Sequence, residues 1–129
     1  MVCGTGNNGG DGLAVARLLH LAGIRAEACV LGNMQRMSPQ AREQLEILKK
    51  YGAVIKDPEE LLAEDGYTGY TTAVDAMFGV GLSRDMGGVF ARMARRLGEM
   101  ENCRVLAVDS PSGIDATTGA VLGLSLIHI

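Results

Sequence analysis

The chain has 129 residues, 47% of them hydrophobic and 21% charged, with a formal net charge of −3. That length suits one domain of roughly 100 to 200 residues, and with no run of about 18 apolar residues a membrane span is not expected. A sequence pI near 5.3 leaves no basic surface for a phosphate backbone, so nucleic acid is not an expected partner; Arg92, Arg95 and Arg96 read as a solvated helix face.

In chain order, a strand stub at Val2 and Cys3 runs into Gly4-Thr5-Gly6-Asn7-Asn8-Gly9-Gly10-Asp11-Gly12. Such glycines let a backbone approach a ligand closely, and at a helix start the unpaired N–H groups and the dipole favour an anion. We read loop as far as Gly12, then a helix over residues 12–21 with Val15, Leu18, Leu19 and Ala22 as its core stripe and Gly23 as its stop. Asp11 is placed both to bind ligand and to N-cap that helix. Residues 26–31 read as a strand. Ser38-Pro39 then supplies a cap and a first-turn proline for a helix to about Tyr51, with Ala41, Leu45 and Leu48 inward and Gly52 as its stop.

A short strand over residues 53–56 leads to Asp57-Pro58-Glu59-Glu60, a capping-box pattern for a short helix to about Glu64. Residues 72–77 form the next strand, and Phe90, Met93, Ala94 and Leu97 mark another amphipathic helix. An apolar strand over residues 104–108 then delivers Asp109-Ser110-Pro111-Ser112-Gly113. Unalternating apolar strands between helices predict a mainly parallel sheet covered on both faces, a three-layer α/β/α Rossmann-like domain of the α/β class. His20, mid-helix and without a second histidine near it, reads as packing or solvated surface.

Cys3, Cys29 and Cys103 form no CxxC pair and sit in apolar segments, where thiols behave as buried hydrophobes. A reducing, cytoplasmic setting is expected from them. The chain opens inside a strand, so a longer natural N-terminus is also expected.

In open α/β sheets ligands bind beyond the carboxyl ends of the strands. The glycine loop, the segment from Asp75 to Leu82 and the turn from Asp109 to Gly113 all fall at such ends, which predicts one composite site. An ordinary nicotinamide dehydrogenase is disfavoured: Gly4-x-Gly6-x-x-Gly9 fits its fingerprint, but the acid expected about 20 residues on is replaced by Gly32-Asn33. No Gly-Lys-Ser or Gly-Lys-Thr follows the glycines, which disfavours a P-loop.

Cys3-Gly4-x-Gly6-Asn7-Asn8-Gly9-Gly10-Asp11-Gly12-Leu13, Asp75-Ala76-Met77-Phe78-Gly79-x-Gly81-Leu82-Ser83-Arg84 and Asp109-x-Pro111-Ser112-Gly113 together resemble the three signatures of the NAD(P)H-hydrate epimerases. The resemblance implies an isomerase that interconverts the R and S forms of hydrated NADH and NADPH, a metabolite-repair step feeding an ADP/ATP-dependent dehydratase, fused or separate. It assigns Asn7, Asn8, Gly9, Gly10 and Asp11, with Gly79, Val80, Gly81, Leu82, Ser83, Arg84 and Asp85, to the hydrated dinucleotide. Asn8, Asp75 and Ser112 fall to a potassium ion, and Asp109 to substrate binding. We place Asp109 as the general acid/base. A homodimer is a further expectation.

The family domain has a long N-terminal helix and a complete first strand ahead of the glycine loop, and further strands after the Pro-Ser-Gly turn. Ser110 stands where the family usually carries an aliphatic residue. Residues 124–129 depart from the family pattern and match one frame of a transposon-end sequencing adapter. We therefore read residues 1–123 as a partial epimerase domain and 124–129 as an artefactual tail. The competing reading is a non-catalytic nucleotide-binding or protein-interaction module of the same fold; Asn8, Asp75 and Asp109 favour the enzyme.

Overall fold

A computed structural model describes residues 1–79, 87–114 and 118. Strands β1 (Val2–Cys3), β2 (Glu27–Val30), β3 (Val54–Lys56), β4 (Thr72–Ala76) and β5 (Arg104–Ala107) form one parallel sheet in the order β3-β2-β1-β4-β5. Helices α1 (Asn7–Leu21) and α2 (Pro39–Lys50) pack on one face; α3 (Pro58–Leu62) and α4 (Gly88–Glu99) pack on the other. The expected three-layer α/β/α architecture is present.

Local chemistry explains several boundaries. The Ser38 hydroxyl accepts from Ala41 N–H at 3.2 Å, and Pro39 follows in the first turn of α2. At the other end Gly52, at φ +73°, turns the chain out of α2, and its N–H donates to the Lys49 carbonyl at 2.9 Å. The capping box at α3 is complete: Asp57 accepts from Glu59 N–H at 2.9 Å, and Glu60 accepts from Asp57 N–H at 3.0 Å.

Two expectations about α1 are corrected. The helix begins at Asn7 with Gly6 as its N-cap, so Asn7, Asn8, Gly9 and Gly10 are its first turn and Asp11 lies inside it rather than capping it. Glycine is a poor helix former, by about 1 kcal/mol relative to alanine, which is why the segment reads as loop. Packing overrides that preference. A Cβ at Gly12 would lie 2.5 Å from Ala76 Cβ and 2.9 Å from Cys3 Sγ, so α1 approaches β1 and β4 more closely than a side chain allows. The buried stripe is accordingly Gly9, Gly12, Leu13 and Ala16, whereas Val15 and Leu18, the latter 57% exposed, point outward.

Coverage of the sheet also departs from expectation at β5. Val105 packs against the α4 side, but Leu106, next along the strand, is 49% exposed. Among the described residues no helix covers that side of β5, because α1 and α2 lie over the strands nearer β1. Cys3 and Cys29 are buried free thiols as expected, and burial pushes both up to about 12; Cys103 is half-buried.

At the amino end of the sheet, Tyr70 O–H donates to the Glu27 carboxylate, whose side chain is only 9% exposed and which also faces Arg25 at 3.4 Å. The Tyr70 bond, then Arg25, holds Glu27 below the usual carboxylate range against the opposing effect of burial. A carboxyl depressed on folding contributes stability that is present above its unfolded pKa and lost as pH falls through its folded one. Tyr70→Phe is expected to cost about 1 to 2 kcal/mol at pH 7 and to flatten the loss of stability on acidification below about pH 4.5, read by urea unfolding across pH. An unchanged acid limb would refute this coupling.

Candidate functional site

Strand order reverses at β1, which has β2 on one side and β4 on the other, so the crevice of this fold opens over their carboxyl ends. Gly4 leaves β1 with its N–H on the Ala76 carbonyl at 3.0 Å, and a Cβ there would sit 2.1 Å from the Met77 carbonyl oxygen. The chain then rises into α1. Gly10 N–H makes the first intrahelical bond back to the Gly6 carbonyl at 3.1 Å, which leaves the N–H groups ahead of it aimed out of the helix start. Among the described residues nothing lies within 4 Å of the Cβ position at Gly6.

Asp75, the next-to-last residue of β4, is fully buried. Its Oδ1 accepts from Ser112 Oγ–H at 2.7 Å and from Met77 N–H at 3.1 Å; its Oδ2 accepts from Ser112 N–H at 2.8 Å. Ser112 Oγ in turn accepts from Phe78 N–H at 3.2 Å, and Val108 N–H donates to the Asp75 carbonyl at 3.0 Å. The turn after β5 is thereby tied to the exit of β4. Burial holds the Asp75 carboxyl above its ordinary range, opposed by the Ser112 hydroxyl, the Ser112 N–H and the Met77 N–H. Among the described residues no cationic side chain pairs with Asp75.

The second cluster forms beside the first. The Cβ position at Gly79 lies 2.9 Å from Asp109 Oδ2, 3.5 Å from Asn8 Cβ and 3.7 Å from Asn8 Cγ. One residue from each predicted segment therefore meets here: the first turn of α1, the exit of β4 and the turn after β5. Asn8 Nδ2 is buried and has no hydrogen-bond partner among the described residues. A buried amide in that condition is costly, by about 1 to 3 kcal/mol, and marks a place where something else bonds. Half a turn of the amide would present Oδ1 instead of nitrogen.

Of the other sequence-derived site residues, Asn7 and Asp11 are exposed on α1, and Gly9 and Gly10 are buried in its first turns. Val80, Gly81, Leu82, Ser83, Arg84 and Asp85 lie outside the described residues, as does the tail 124–129. His20 meets the Tyr51 carbonyl at 2.9 Å at the far end of α1, away from the crevice.

Sequence reasoning did not assign to the site four residues that lie together at the same end of the sheet. Phe78 and Phe90 pack with ring centroids 4.7 Å apart, and the Cβ position at Gly32 lies 3.2 Å from Phe90 Cζ and 3.4 Å from Thr5 Cγ2. Helical spacing marks Phe90 as core. Only the topology brings the start of α4 to the ends of β1 and β2.

This arrangement has known counterparts. Residues 1–127 match the family described as YjeF-related protein N-terminus. The chain is 41% identical over 128 residues to a Levilactobacillus brevis protein named NAD(P)H-hydrate epimerase, covering 98% of this chain and 56% of that protein. An Oenococcus oeni protein of the same name is 40% identical over 126 residues, with 98% and 57% covered. In three dimensions it is similar to the crystal structure of yeast ynu0, with a TM-score of 0.78 and 27% identity over 96% of this chain and 52% of that one. The chain thus spans just over half the length of the curated relatives it matches.

Proposed function

The chain belongs to the family of YjeF-related protein N-termini, and on that premise we propose that it is an isomerase interconverting the R and S forms of hydrated NADH and NADPH. The observation that carries the reading is the meeting of Asn8, Gly79 and Asp109 at the switch point of a parallel sheet. A dinucleotide suits the open α1 start, where the N–H groups of Asn7, Asn8 and Gly9 can hold pyrophosphate. Residues 79–85 and Asp11 complete the set of substrate contacts in this proposal.

Asp109 is the general acid/base. Protonated, it gives its proton to the hydroxyl on the hydrated ring carbon; the carbon–oxygen bond breaks, water leaves, and the lone pair of the ring nitrogen stabilises the cation. Water then adds to the opposite face, and the Asp109 carboxylate takes the proton it sheds. Atoms and charge balance, and the product is the epimer. In the alternative route Asp109 assists opening and closing of the hemiaminal ring. Solvent labelled with ¹⁸O distinguishes the two, since only the first requires label in the hydroxyl at every turnover.

A potassium ion fits the chemistry of the neighbouring donors. Among the described residues Asn8 supplies a buried amide without a partner, Asp75 a buried carboxylate without a cationic side chain, and Ser112 a hydroxyl, an oxygen set of the kind hard cations take. When bound, the ion would offset the buried Asp75 charge. Potassium at 100 times its dissociation constant is expected to stabilise the protein by about 2.7 kcal/mol over sodium, read as a shift in thermal unfolding. No shift would remove the ion from the site.

The direct test of the function is incubation of R hydrate with the protein and chiral separation of the two forms. Conversion to the S form faster than the spontaneous rate is expected; its absence would refute the proposal. We further propose a dehydratase, fused or separate, as the consumer of the S form, a cytoplasmic setting consistent with the three free thiols, and a homodimer. No described helix is long and apolar enough to cross a membrane.

A further inference from the structure

We infer that Gly79 is a positioning residue: the empty space where its side chain would be sets where the Asp109 carboxylate lies. The inference rests on the epimerase reading of the site and adds to it a role for Gly79 distinct from substrate contact.

Backbone conformation does not explain the glycine, because φ at Gly79 lies outside the left-handed range that favours it. Space does. A Cβ would come within 2.9 Å of Asp109 Oδ2, closer than real side chains approach, whereas its 3.5 Å and 3.7 Å separations from Asn8 are ordinary contacts. Of the two neighbours, Asp109 is the one that must yield.

The framework decides how it yields. On one side Phe78 N–H is bonded to Ser112 Oγ at 3.2 Å, which holds the backbone entering residue 79. On the other, Val108 N–H is bonded to the Asp75 carbonyl at 3.0 Å, and Ser112 is bonded through both its N–H and its hydroxyl to the Asp75 carboxylate. Asp109 is thus flanked by two anchors to β4. Retreat of either backbone would break these hydrogen bonds, so a methyl at 79 is accommodated by rotation of the Asp109 side chain. That rotation takes the carboxylate from its place beside Asn8.

The test is a double-mutant cycle in the hydrate epimerisation assay, with kcat measured for the parent, Gly79→Ala, Asp109→Asn and the double variant. Displacing a catalytic group by about 1 Å can cost on the order of 100-fold, so Gly79→Ala is expected to lower kcat about 10- to 100-fold in the parent. In the Asp109→Asn background, where there is no acid left to misplace, the further loss is expected to be under about 3-fold. Equal losses in both backgrounds would overturn the inference and leave residue 79 as a substrate contact. The ¹³C shift of the Asp109 carboxyl in the ligand-free protein gives a readout independent of turnover: it is expected to move in Gly79→Ala, and an unmoved signal overturns the inference. Should the parent itself fail to epimerise, the functional reading falls while this measurement still decides the role of Gly79. Should Gly79→Ala fail to fold, adding Asp109→Ala removes the clashing atom and is expected to restore folding; no restoration would again overturn it.

Discussion

Asp109→Asn is expected to slow epimerisation by about 10² to 10⁴, the usual worth of a general acid/base, while the protein keeps its fold and its affinity for dinucleotide. The size of the loss follows from the chemistry: asparagine keeps the shape and hydrogen-bonding capacity of the side chain but can neither give a proton to a leaving hydroxyl nor accept one from water. Retained binding follows from geometry, because the pyrophosphate cradle proposed at the start of α1 comes from another segment. Asp109 is itself exposed, so the exchange does not replace a buried carboxylate. Asp75→Asn should behave differently. It strikes a buried carboxylate that accepts three hydrogen bonds and joins β4 to the turn after β5, so its cost falls on stability as well as on turnover. Chiral separation of the hydrates, alongside urea unfolding, separates the two aspartates. Parent-like turnover by Asp109→Asn would remove it from the acid/base role.

What was legible in the chain before folding was whatever its neighbours in sequence decide. Ser38, Pro39 and Gly52 delimit α2 through caps made within a few residues, and Asp57 with Glu60 does the same for α3. The composite site was legible at the level of segments, since each of its three motifs follows a strand. Its internal geometry was not. The Asp75–Ser112 bonds join positions separated by 37 residues, and no spacing rule announces them. Helical periodicity put Phe90 on the apolar face of α4, where it packs against the core, but it does not record what that residue meets at the end of the sheet. The start of α1 was misplaced for the opposite reason: local propensity spoke clearly against a helix, and tertiary contact at Gly9 and Gly12 prevailed over it.

That contest gives the second large effect, at Gly9. Helix propensity alone predicts that Gly9→Ala stabilises α1 by about 1 kcal/mol. The structure predicts the reverse. A Cβ at Gly9 would lie 1.9 Å from the Gly4 carbonyl oxygen, 2.6 Å from its carbon and 2.9 Å from its nitrogen, and all three are backbone atoms that no rotamer change can move aside. Gly4 is itself fixed, its N–H on the Ala76 carbonyl and its own Cβ position blocked by Met77, so relief requires lifting the first turn of α1 from the sheet. Overpacking of this kind costs about 1 to 3 kcal/mol where side chains can adjust, and more where backbone must shift. We expect a loss of about 3 kcal/mol or more from Gly9→Ala, a large part of the roughly 5 to 15 kcal/mol that holds a domain folded. Gly6→Ala is the matched control: it sits three residues earlier, at φ −87°, with nothing among the described residues within 4 Å of its Cβ position, and is expected to leave the urea midpoint within about 0.5 kcal/mol of the parent. A Gly9→Ala midpoint equal to that of Gly6→Ala would mean that the glycines of the first turn serve the ligand alone. The expected gap between them means instead that the proposed anion cradle depends on α1 being allowed to sit this close to β1 and β4, so that the close packing and the placing of the helix start are two consequences of the same missing side chains.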